Sequence, residues 1–265
     1  MKKTKNINSF INLSQIHYNE LLLLDIKRAK QEEIIDEKDL PAYRKGTNSE
    51  AILLVHDLGG SPAELNLMID YINKLGYTTY NCRLPGHGSN YEYISKFTFI
   101  DWYESLKYGY YSLRNTTKNV TIIGKGIGAY LGILVSIFNK IDRLILLLPQ
   151  LNNNDIKVKY LFNTPVNFLK RTFINYNYTE KNGSYIHKYF PRRIVNEGNK
   201  LISFLIKNTH NYNKDIPITI HTFDSRNIYY FYKGLHLLNK LKKQNIKIET
   251  FNVELLNKFK VMKNA

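Results

Sequence analysis

Three glycine-rich turns, each directly following a predicted strand, hold most of the residues that could do chemistry in this chain. Val120-Thr121-Ile122-Ile123 leads into Gly124-Lys125-Gly126-Ile127-Gly128 and then into an apolar stretch from Ala129 to Phe138. A phosphate cradle at such a turn needs Gly-Lys followed by Ser or Thr, or a complete Gly-x-Gly-x-x-Gly after the first strand, and the chain has neither. The glycines are better read as letting a helix approach a strand closely, with Lys125 solvated beside them. The other two turns are His56-Asp57-Leu58-Gly59-Gly60 and Arg83-Leu84-Pro85-Gly86-His87-Gly88. Their histidines, His56 and His87, are expected to bond loop backbone at the mouth of a site rather than to shuttle protons. Cys82 is the single cysteine; at the end of a predicted strand it reads as a small buried hydrophobe, and alone it excludes an internal disulfide and multi-cysteine metal sites. His210 and His221 lack the spacing and partners of a metal pair, so neither metal nor cofactor is expected.

The elements that must position these turns follow from periodicity. From residue 50 onward, short apolar runs alternate with helix-period segments, the mark of a parallel sheet covered on both faces. Strands are predicted over 51–56, 77–82, 120–123, 143–149, 216–221 and 246–251. Helices are predicted from Ser61, over 101–114, 129–138, 194–207 and about 229–243. Ser61-Pro62-Ala63-Glu64 has the form of a capping box, with Ser61 as N-cap and Glu64 reaching back. A site in such a doubly wound unit lies at the carboxyl ends of the strands, where the three turns fall.

The segment 1–45 is polar and charged, with one amphipathic stretch, Ile16 to Ile35, expected as a helix lying on the core. The core proper is assigned to 46–150 and 216–265. Between them, 151–215 has weak periodicity and many aromatic residues, and is expected as a small cap insertion. Hydrophobic residues at 43% and charged residues at 23% fit one soluble globular unit. No run approaches the roughly 18 apolar residues of a membrane span. Together with the single cysteine, this suggests a cytoplasmic protein. The formal charge of +16 comes from lysine spread over the whole length. It is consistent with weak association with anionic membrane or nucleic acid, not with a specific nucleic-acid stripe.

Taken in order, Leu53-Leu54-Val55-His56-Asp57-Leu58-Gly59-Gly60, Arg83-Leu84-Pro85-Gly86-His87-Gly88 and the turn around Gly126 resemble the α/β-hydrolases, in the branch of carboxylesterases and monoacylglycerol lipases. Tyr189-Phe190-Pro191 and the run Ile216-Pro217-Ile218 add to the likeness, which covers about residues 40 to 251. It implies an α/β-hydrolase fold: a mostly parallel twisted sheet, helices on both faces and a cap. It also implies a nucleophile on a strand-to-helix elbow of the form Gly-x-Ser-x-Gly, where small neighbours let a strained turn expose a hydroxyl.

Here the elbow's centre is Gly126, which has no atom able to attack a carbonyl. The acid position falls at Ser225, with Asp224 one residue before it. The base should follow the last strand, yet no histidine occurs after His236. The resemblance places the oxyanion-hole amides at Leu58 and Ile127, and puts Asp57 where the family has glycine; a carboxylate there opposes a developing oxyanion. His56, Asp57, His87, Gly124 and Lys125 would form the rim. The expectation is a catalytically degenerate hydrolase that binds a small apolar or acyl ligand or a protein partner. The competing readings are an active carboxylesterase or lysolipid hydrolase with an unorthodox nucleophile, and a basic protein held weakly on anionic membrane or nucleic acid.

Overall fold

The computed structural model describes residues 18–147, 173–175, 189–208, 215–222 and 246–250. Its centre is a seven-stranded sheet of β1 (Ala42–Arg44), β2 (Glu50–Val55), β3 (Thr78–Cys82), β4 (Asn119–Lys125), β5 (Arg143–Leu147), β8 (Ile218–Thr222) and β9 (Ile246–Thr250). The spatial order is β1-β3-β2-β4-β5-β8-β9. Every pair is parallel except β1 with β3, which adds an antiparallel edge. β1 is a correction: its three residues carry too little pattern for the sequence to announce a strand.

Side chains alternate across the sheet, as a pleated strand requires. Ala51, Leu53 and Val55 of β2 join the larger core, whereas Ile52 and Leu54 turn to the smaller one on the opposite face. The larger face carries α1 (Tyr18–Gln31), α4 (Phe99–Arg114), α5 (Ile127–Phe138) and α6 (Arg192–Asn208). The smaller face is covered by α2 (Asn66–Lys74), through Ile69 and Ile72. A short α3 (Tyr91–Ile94) precedes α4. α5 is buried continuously from Ile127 to Ile137, which explains its unbroken apolar composition. α6 packs on α5 and α4, and the antiparallel pair β6 (Phe173–Asn175) and β7 (Tyr189–Pro191) runs into it. The rest of the expected cap and the helix expected at 229–243 fall outside the described residues.

Two expectations change. Ser61 makes no capping bond; its hydroxyl donates to Asp39, and Pro62–Leu65 forms a 3-10 turn before α2 begins. Glu64 instead reaches Lys125. A carboxylate reaching back to the N-cap is found at α4 instead, where Asp101 accepts both the Thr98 amide, at 2.8 Å, and its hydroxyl, at 2.7 Å. The segment before β2 is also more than a cover. Glu32, just past α1, pairs with Arg83 at 2.6 Å and accepts the Gly86 amide at 2.7 Å, both inside the protein. Asp25 accepts the Tyr80 hydroxyl.

Candidate functional site

The carboxyl ends of β2, β3 and β4 bring the three glycine-rich turns together. β4 runs into a sharp turn at Gly126, whose φ of 53° and ψ of −116° lie in a region that side-chain-bearing residues rarely adopt. The flanking glycines are demanded by close approach. A Cβ on Gly128 would stand 2.6 Å from the carbonyl oxygens of Val55 and His56, and one on Gly124 would run into the Gly128 backbone. The local geometry is therefore that of a strand-to-helix elbow, with the first turn of α5 directed at the end of β2.

What occupies the elbow is the Asp57 side chain. Its Oδ1 accepts hydrogen bonds from the Leu58 amide at 2.7 Å and the Ile127 amide at 2.8 Å. These are the two amides that the sequence resemblance assigns to an oxyanion hole. A Cβ built on Gly126 would overlap the same carboxylate group. Asp57 thus fills both the amide pair and the space a side chain at 126 would take. The sequence reading set this carboxylate beside the two amides; the structure has it bonded to both. The position also suits the charge, because the amino end of α5 presents unpaired amides and a positive dipole end.

The neighbours tune this carboxylate in opposing directions. Burial and the negative charge of Glu64 push the Asp57 carboxyl up to about 6, against the lowering effect of the Ile127 and Leu58 amides and of Lys125. Lys125, read from the sequence as solvated, is ion-paired with Glu64 at 2.5 Å. The Glu64 carboxylate lies over Gly60, leaving no room for a side chain there.

His56 has no spare nitrogen for acid-base work. Its Nδ1 bonds the Asp57 carbonyl at 2.8 Å and its Nε2 accepts the Leu84 amide at 3.2 Å, which makes Nδ1 the protonated nitrogen. Burial drives its pKa down to about 3, so the ring is neutral. His87 is buried, with Nδ1 3.3 Å from the Pro85 carbonyl and its ring between His56 and Trp102. Trp102 Nε1 donates to that same carbonyl at 3.2 Å. Cys82 is fully buried, and burial pushes its thiol upward, away from the thiolate that a nucleophile requires. His221 lies on β8; Asp224, Ser225 and His210 fall outside the described residues.

Among the described residues no group of three His, Cys, Asp or Glu side chains could hold a metal ion, and no helix is long and apolar enough to cross a membrane. Three features escaped the sequence reading: the Asp57 anchor, the Glu64–Lys125 pair and the Glu32–Arg83 pair. The first had a usable signal, since the elbow loses a side chain while the facing loop gains one. The second was hidden by a capping pattern that fits Glu64 equally well.

Strand order, elbow and paired amides together define the α/β-hydrolase fold, and the chain's likeness runs to the lipases and esterases of that superfamily. Over 80 residues, 30% of this chain, it is 35% identical to a thermostable monoacylglycerol lipase from Bacillus sp. (strain H-257), and the match spans 32% of that enzyme's length. No family model matches. Among solved structures, a metagenome-derived lipolytic enzyme of the LipS and LipT pair aligns at a TM-score of 0.62 and 15% identity, over 82% of this chain and 88% of that one. A soluble variant of monoglyceride lipase from Saccharomyces cerevisiae aligns at 0.58 and 14%, over 80% and 81%. The monoacylglycerol lipase of Paleococcus ferrophilus aligns at 0.53 and 14%, over 80% and 88%.

Proposed function

We propose that this chain is a catalytically degenerate relative of the esterases and lipases, which keeps their scaffold and does not hydrolyse acyl esters by a serine route. One observation carries the reading: the Asp57 carboxylate is bonded to the amides of Leu58 and Ile127 in the space facing Gly126. An acyl-transfer site needs an attacking heteroatom and free donors for the charge that develops on the carbonyl oxygen. Here the elbow residue offers no heteroatom, and the donors are bonded to an anion that would repel the developing charge. The residues directly behind the last strand, Asn252 to Leu256, where the resemblance would place the base, include no histidine.

The retained scaffold then serves binding, with a small acyl or apolar ligand, or a protein partner, as the occupant. The test is turnover of short p-nitrophenyl esters together with labelling by a fluorophosphonate probe. The expected result is neither turnover above a heat-denatured control nor a labelled band. Turnover that disappears on substitution of a residue at the elbow or its facing loop would overturn the proposal and favour the active-hydrolase reading.

A further inference from the structure

We infer that Asp57 is an internal latch on a carboxylate receptor: the amides of Leu58 and Ile127 accept a small aliphatic carboxylate from solution when Asp57 gives them up. This rests on the binding role proposed above and concerns how that binding is controlled. The structure indicates the ligand chemistry, because the group already seated on the two amides is a carboxylate, with one oxygen shared between them. Gly126 makes room for such a group: a Cβ there would overlap the seated carboxylate.

A tethered carboxylate outcompetes a free one, since its effective concentration at the amides is in the millimolar range or above. The latch therefore opens only when Asp57 loses its advantage as an anion. The charged groups facing it are Glu64 from the 3-10 turn and Lys125 from β4, themselves paired; the His56 ring at the end of β2 is neutral. The Tyr130 hydroxyl on α5 stays protonated, its pKa driven up by burial and then by the Asp57 charge. With the Asp57 carboxyl at about 6, a free aliphatic acid of ordinary pKa, about 4–5, is still an anion in the window where Asp57 has become neutral. There the charge-assisted bonds favour the external ligand.

The experiment is a titration of the full chain with sodium butyrate, followed by the amide NMR signals of Leu58 and Ile127. It compares the wild type with Asp57→Gly and Asp57→Asn. Apparent affinity scales with the fraction of competent protein, so the wild type should bind about tenfold or more weakly at pH near 7.5 than near 5.5. Asp57→Gly should bind at both pH values. Asp57→Asn, neutral at both pH values as the protonated acid is, should bind at both and lose the pH contrast. A folded Asp57→Gly chain whose two amides do not respond to butyrate overturns the latch, and so does a wild-type affinity that does not change with pH. If Asp57→Gly does not fold, the pH contrast between wild type and Asp57→Asn decides alone. Ester turnover by the wild type would refute the proposed function without touching the latch, and an unresponsive amide pair would do the reverse.

Discussion

At position 126 two costs fall on any side chain: a backbone at φ 53°, which residues with a Cβ adopt with strain, and a carboxylate already in the space the Cβ would need. Strain of this kind costs about 1–3 kcal/mol and overpacking a similar amount. Gly126→Ala should therefore lose about 2–5 kcal/mol of stability in denaturant unfolding. The same change in an Asp57→Gly background should lose only the strain part. A double-mutant cycle that returns a coupling below about 0.5 kcal/mol would show that the two residues are independent.

Asp57 also sets a pH dependence. Its folded carboxyl, at about 6, sits above the ordinary value of 3.8, so the folded state binds the proton more tightly than the unfolded chain does. The contribution of Asp57 is then most favourable below about pH 4, and its penalty is complete above about pH 6. The stability of Asp57→Asn relative to wild type should rise across that window and level off above it; a flat difference would contradict the assignment.

Among the elements, the helix α1 and the turn after β3 are joined by charges that cannot be separated cheaply. The Arg83 and Glu32 side chains are 2% and 6% exposed, so removing one charge leaves the other stranded out of water. Glu32→Gln, which keeps shape and an acceptor for the Gly86 amide, should still cost about 3–5 kcal/mol in urea unfolding. A loss below about 1 kcal/mol would mean that water reaches the pair. This contact explains why the stretch before residue 45 behaves as part of the sheet's support: Leu21 enters the main core, Asp25 holds the Tyr80 hydroxyl, and Glu32 anchors the turn that positions His87. Its helix was legible from amphipathic spacing, whereas its partners were not, because they lie more than fifty residues away in the chain.

Across the molecule, β4 lies between β2 and β5 inside the sheet, and α5 is covered along nearly its whole length. Slowest hydrogen exchange is expected in these two elements, with the β1 edge and α2 exchanging earlier. Fastest exchange in α5 would argue that the elbow is not the rigid centre of the fold. That rigidity bears on function, since a carboxylate receptor built on backbone amides holds its geometry only as well as the strand and helix that carry them.

The parallel strands β2 to β5, β8 and β9, the elbow and the lack of a nucleophile at its centre were readable from residue types and spacing, whereas the β1 edge and the β6–β7 pair were not. Periodicity is a local property, and a glycine has no side chain wherever it is placed. The resemblance carried by the three turns likewise named Leu58 and Ile127 as the amides to watch. What Asp57 does with them was decided only by the tertiary structure. Seventy residues separate Asp57 from Ile127, and nothing local to either says that the carboxylate bridges both amides instead of standing beside them. The same holds for Glu64, whose neighbours suggest a helix cap and whose actual partner, Lys125, arrives from the end of β4. A side chain's bonds are chosen by whatever folding brings within about 3 Å. Hydrophobic pattern specifies which elements meet; it does not specify which polar atoms then face each other.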